Sequence, residues 1–254
     1  MSTQRLGSAM QLFFTFLPHV IGLAGALFLV VALWHVKPWL LLISLMLYGL
    51  LFVGLVGFTP DRWLRAVATP ETAFTHIPRP TTAVIMGFGY DMVGDQMQPG
   101  PANQFLLDWV LKNQPQITTL FVQEGVLVAM SPALLREKTV RRIHRHDPAL
   151  YVDTLDTAFC AMRQLQRRQE QSVLLVSHDM QLQRAVWDFE RVQRQMCSTC
   201  TLVIPELPTT PYPPQSVHLQ TRNAFIYKVL ELLYLRPRDL LRSLPATCKA
   251  PIEE

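Results

Sequence analysis

Four short stretches of this chain bring together side chains that could do chemistry. Gly87-Phe88-Gly89 closes an apolar run and leads into Tyr90-Asp91. Two glycines let a backbone bend tightly and leave amides open to a phosphate or carboxylate, although the same pattern also makes a plain turn. Asp153-Thr154-Leu155-Asp156-Thr157 supplies carboxylates and hydroxyls that either cap the free amides of a helix start or touch a polar ligand. Ser177-His178-Asp179 joins a hydroxyl, an imidazole and a carboxylate. Three sequence neighbours cannot point at one another as nucleophile, base and orienter, so binding rather than a catalytic triad is the reading. Arg184 follows about one and a half turns into the next helix, where it either reaches back toward an anion or pairs with a helix-terminal acid. Cys197-Ser198-Thr199-Cys200 has the spacing of a redox or metal half-site. It lacks the following His of a haem attachment site and a second cysteine pair for zinc, and it falls after a helix rather than at the N-terminus that would lower a thiol pKa. A structural role is the first reading, with a disulfide or a redox or metal function as alternatives. No catalytic residue and no metal ligand is assigned, and whether the chain is an enzyme stays open.

Positioning these groups requires an alternation of strands and helices. Apolar runs predict strands at Thr82–Gly87, Ile117–Val122, Leu150–Val152, Ser172–Val176 and Thr201–Ile204. Helical periodicity or capping signals predict helices at Ala102–Lys112, from Ser131-Pro132 to about His146, and over Leu155–Gln169, Asp179–Gln195 and Leu219–Leu235. Strands that are apolar throughout imply a parallel sheet covered on both faces. The expectation is a Rossmann-like doubly wound parallel α/β sheet of about five strands, with ligands bound outside the strands' carboxyl ends.

The rest of the chain is biased differently. Residues 10–34 and 38–58 contain no Asp, Glu, Lys or Arg, and each run is long enough for a hydrocarbon core about 30 Å thick. The short link His35-Val36-Lys37 then predicts a two-helix transmembrane hairpin, with glycines suited to packing against other integral membrane proteins and the lipid bilayer as a partner. The expected division is a tail at 1–9, the hairpin at 10–58, a proline-rich linker at 59–80, the Rossmann-like domain at 81–235 and a C-terminal tail at 236–254. This arrangement predicts a two-pass membrane protein with both termini on one side. Flanking Arg5, Arg62 and Arg65 against Lys37 favour a cytoplasmic domain. The net charge is +4, and Arg141-Arg142-Ile143-His144-Arg145-His146 reads as a solvated helix face. No aromatics are interleaved with these charges, so no nucleic-acid partner is expected.

The order of the strand-end motifs resembles the ElyC/SanA/YdcF-like family of bacterial envelope proteins, over about Thr81 to Leu235. Ala83–Gly87 is similar to that family's first strand and glycine turn, Asp153-Thr154-Leu155-Asp156-Thr157-Ala158 to its Asn-Thr-x-Glu-Asn-Ala segment, and Ser172–Ala185 to its fourth strand with an Arg-Ala helix start. The resemblance implies envelope association at the bacterial inner membrane, a periplasmic domain, and a nucleotide-like ligand such as S-adenosylmethionine at Gly87, Gly89, Asp153, Thr154, Asp156, Ser177, His178 and Arg184. Four departures bear on that site. Gln123-Glu124-Gly125 stands where the family has Ser-Gly-Gly, Asn103 replaces an Arg, Thr157 an Asn and Gln181 a His. The competing expectation is therefore a non-catalytic accessory or docking subunit, with stiff Pro205–Pro214 presenting a surface.

Overall fold

The computed structural model describes residues 66–143, 153–196 and 198–231, together with positions 25, 43, 46–51, 53–54, 235, 243–244 and 252–253. The chain divides into two compact units: Met1–Pro60 with Phe225–Arg242, and Asp61–Ala224 with Ser243–Glu254.

The second unit is built on strands β1 (Thr82–Ile85), β4 (Thr119–Gln123), β5 (Thr139–Ile143), β6 (Ser172–Val176) and β7 (Thr201–Val203). These five pair in parallel in the order β7-β6-β1-β4-β5, and a two-residue strand β8 (Ile252–Glu253) adds antiparallel to the β5 edge. A small antiparallel hairpin, β2 (Asp91–Val93) with β3 (Gln96–Gln98), stands apart from the main sheet. The helices of this unit are α1 (Gly100–Asn113), α2 (Glu124–Leu127), α3 (Pro132–Glu137), α4 (Thr154–Arg167) and α5 (Asp179–Met196), while α6 (Ala224–Leu230) belongs to the first unit from Phe225 on. The Rossmann-like parallel sheet expected from the apolar runs is present.

Strand residues alternate between two cores, as a period of two demands. Val84, Phe121, Val173 and Leu175 face Leu155, Leu165, Phe189 and Val192 of α4 and α5. Ala83, Ile85, Leu120, Leu174 and Val176 belong to the other core, with Leu106, Leu107 and Val110 of α1. Each fully buried aliphatic or aromatic side chain contributes about 1.5–3 kcal/mol. Residues 66–80 pack here too: Thr69 donates its amide to Ile204 O at 2.7 Å, and Phe74 and Ile77 lie against the α1 core.

Two expectations are corrected. The helix expected from Ser131-Pro132 to about His146 ends at Glu137; Ser131 does accept the Leu134 amide as its cap, at 3.2 Å. The chain then enters β5, so Arg141 and Arg142 lie on a strand rather than on a solvated helix face. Thr139, Val140 and Ile143 favour extended backbone, and a half-buried strand tolerates the two arginines. The strand expected at 150–152 lies outside the described residues.

The second correction concerns the first unit. Among the described residues no helix is long and apolar enough to cross a membrane, which overturns the transmembrane hairpin and the two-pass inner-membrane localisation built on it. A spanning helix needs about 20 consecutive apolar residues. Most of residues 10–58 lie outside the described residues, and the longest described helical run there is 46–51. In this unit Tyr227 donates its buried hydroxyl to Glu231 Oε2 at 3.0 Å.

Candidate functional site

The sheet order reverses direction between β1 and β6, so the crevice in which α/β sheets receive ligands lies beyond the carboxyl ends of those two strands. The ladder runs up to that point, where the Met86 amide donates to Val176 O at 2.8 Å. Gly87-Phe88-Gly89 leaves β1 there, and Ser177-His178 leaves β6 beside it.

The amides of the glycine turn are already used. Gly87 donates its N–H to Gln123 Oε1 at 2.7 Å, and Phe88 donates its N–H to Asn103 Oδ1 at 2.8 Å. Asn103 returns its amide hydrogens to Gly89 O and Pro99 O, both at 2.6 Å. From Gln123 the bonding continues: Nε2 donates to Thr157 Oγ1 at 2.7 Å, and the Thr157 hydroxyl donates to Asp153 O at 2.9 Å. One relay thus ties the ends of β1 and β4 to the first turn of α4. Gly125 completes it, since a Cβ there would meet Asn103 Nδ2 at 2.8 Å. Glu124 pairs with Arg142 Nη2 at 2.9 Å, so of the two bulky side chains Gln123 and Glu124 only Gln123 bonds to the glycine turn.

Asp153 acts as a helix cap, its Oδ1 accepting the Asp156 amide at 3.0 Å. Thr154 and Asp156 are buried within the same first turn. On the β6 side the Ser177 hydroxyl donates to Gln181 Oε1 at 3.1 Å. His178 starts α5: its carbonyl accepts the amides of Gln181 and Leu182, each at 2.9 Å. Its Nδ1 lies 3.0 Å from Asp179 Oδ1 and 3.3 Å from the Met180 amide. Nδ1 accepts the Met180 hydrogen and faces the Asp179 carboxyl group. No nucleophile-base pair arises, because Ser177 is bonded to Gln181 and not to the imidazole. Arg184 is buried on α5 with Asp188 one turn further along the same face.

Aromatic rings fill what remains. Phe88 stacks on His178 with centroids 3.7 Å apart and planes inclined by 19°. Tyr212 lies against both, 4.5 Å from the His178 ring and 5.8 Å edge-on from Phe88, and His178 has no exposed surface. Tyr212 comes from the proline-rich segment after β7, which continues across the turn: the Val217 amide donates to Tyr90 O at 3.0 Å, and His218 packs edge-on against Tyr90. Ser216 and Thr221 sit directly over Gly89, whose φ of +68° suits glycine.

The structure thus gathers Gly87, Gly89, Ser177 and His178 at one crevice and joins Asp153 to them through Thr157 and Gln123, while Asp156 and Arg184 are buried on the helices behind. Phe88, Tyr212, Ser216 and Thr221 are site residues that the spacing of motifs did not mark. Among the described residues no group of His, Cys, Asp or Glu is placed to hold a metal ion. Cys200 is a free, buried thiol pushed up to about 11, first by burial and then by the nearby Glu170 carboxylate. That is the opposite of a redox-active thiol. Cys197 lies outside the described residues. No protein-family model, no curated protein and no solved structure matches this chain.

Proposed function

We propose that this chain is a non-catalytic accessory subunit that docks onto a larger protein assembly. The observation that carries this reading is an apolar helical surface in the first unit: Ile43, Met46, Leu47, Leu50, Leu51 and Val53 are between 39 and 67% exposed. A run of large apolar side chains left in contact with water marks a surface made to be covered. The partner that fits is a protein presenting an apolar helix face. In the second unit, the saturated amides of Gly87 and Phe88 support a scaffold role for the old binding crevice. The test is the mass of the full-length protein extracted gently from its native source. The expected outcome is a stable larger assembly that survives Arg184→Ala but disperses on Met46→Gln with Leu50→Gln, the α/β unit keeping its melting temperature. A lone monomer unaffected by the paired substitution would refute the reading.

A second reading is favoured by the strand-order reversal between β1 and β6 and by the resemblance to the ElyC/SanA/YdcF-like family: the crevice takes a nucleotide-like ligand such as S-adenosylmethionine. It requires Gln123, Phe88 and Tyr212 to move aside. A rise in melting temperature with S-adenosylmethionine or ATP at millimolar concentration, abolished by Ser177→Ala, would establish it in place of the accessory role.

A further inference from the structure

The proline-rich segment 205–215 brings Tyr212 over the crevice, and both of its ends are pinned by hydrogen bonds. Before it, Ile204 donates its amide to Thr69 Oγ1 at 2.8 Å and accepts the Thr69 amide at 2.7 Å. Beyond it, the Val217 amide donates to Tyr90 O at 3.0 Å and Arg222 Nε donates to Ser216 O at 2.8 Å. We infer that residues 205–215 form a strap that swings between these two anchors, closing the crevice when it lies down and uncovering His178 when it lifts. Such a gate controls access alone, so it stands whichever reading of the crevice holds.

The segment is built to move as a piece. It belongs to no helix or strand, and five of its eleven residues are prolines, which carry no N–H to bond to the body of the domain and favour a stiff extended rod. Burial along it repeats every third residue: Leu207 is half-buried and Thr210, Pro213 and Ser216 are buried, whereas Glu206, Pro208, Thr209, Pro214 and Gln215 are exposed. An extended left-handed chain with three residues per turn lays down one such edge. Lifting it breaks no pairing of the parallel sheet, because β7 has already ended at Val203.

Closure is held by packing and opposed by one polar group. Leu207 lies against both cores, a Cβ on Gly100 would meet Pro213 Cβ at 3.5 Å, and the Tyr212 ring rests 4.5 Å from the His178 ring. Thr210 works the other way: its Oγ1 is buried without a hydrogen-bond partner among the described residues. A hydroxyl shut away in this manner regains water when the strap lifts, which favours opening. Few contacts to break, and a desolvated group to release, place the opening of 205–215 well below global unfolding in free energy.

Histidine modification measured against urea tests this directly. The full-length chain is treated with diethyl pyrocarbonate at neutral pH, and carbethoxylation is followed in tryptic peptide 169–184, whose single histidine is His178, with exposed His76 as the internal standard. His178, wholly buried when the strap is down, is expected to react slowly and at a rate that urea leaves unchanged below the unfolding transition, since lifting a strap exposes little surface. Tyr212→Ala should raise that rate about 10-fold, the worth of one aromatic contact, while Tyr212→Phe stays near the wild type. Hydrogen exchange of the β6 amides should be unaltered in both variants. A His178 that reacts only in step with β6 exchange as urea rises, or a rate that Tyr212→Ala leaves unchanged, would overturn the proposal. Should Tyr212→Ala not fold, the urea profile of the wild type decides by itself.

Discussion

The ring of Phe88 lies flat on the ring of His178, 3.7 Å between centroids, where β1 and β6 part. An α/β sheet that receives a ligand at this position keeps the space open. Here the stacked rings and Tyr212 pack against one another. The polar groups of β6 are thereby shut away from solvent: Ser177 and His178 are wholly buried.

Phe88→Ala should cost about 3–5 kcal/mol, because it removes a fully packed aromatic and leaves a cavity over the imidazole. Urea unfolding of the full chain measures this. A loss below about 1 kcal/mol would mean that the neighbouring rings collapse into the space and that the stack is dispensable.

Two adjacent side chains should behave very differently. Gln123→Ala strands the Gly87 amide at a half-buried turn and deprives Thr157 of its donor, so a loss of about 1–3 kcal/mol is expected. Glu124→Gln breaks a half-exposed ion pair with Arg142 and should cost less than about 1 kcal/mol, shrinking further in salt. Equal losses for the two variants would contradict the relay from β1 to α4.

Gly89→Ala meets two obstacles, a φ of +68° and the hydroxyls of Ser216 and Thr221 above it. The backbone conformation alone costs about 1–2 kcal/mol in a residue with a Cβ. The overlying segment should lift, and limited proteolysis within residues 205–221 should accelerate. Adding Thr221→Ala should recover the steric part of the loss and leave the backbone part.

Cys200 makes stability fall in alkali. Its thiol is raised from 9.0 to about 11, so the folded state holds the proton more tightly than the unfolded chain does. The stabilisation is complete below pH 9 and is lost as pH rises toward 11. Melting temperature should therefore drop more steeply between these pH values in the wild type than in Cys200→Ala. Parallel slopes would show that the thiol is not held protonated by burial and Glu170.

Much of this architecture was legible in the residues. Apolar runs marked β1, β4, β6 and β7, and the signals at Ser131 and Asp153 marked helix starts, because a strand buried on both faces and a capped helix leave local signatures. β5 did not, since Thr139–Ile143 carries two arginines after a good helix start and its extended form is decided by pairing with β4. The β2–β3 hairpin was not anticipated, although Gly94-Asp95 turns the chain between Val93 and Gln96. The charge-free N-terminal runs implied spanning helices, whereas among the described residues no helix is long and apolar enough to cross a membrane.

What the amino-acid order determined by itself was the set of polar groups at the strand ends and the parallel sheet that presents them. Whether those groups face a ligand or one another was decided only by the tertiary fold. Tyr212 reaches His178 from far along the chain, and Gln123 reaches Gly87 across a strand pair. Periodicity and caps act within a few residues, whereas the filling of a crevice depends on segments whose meeting no local spacing encodes.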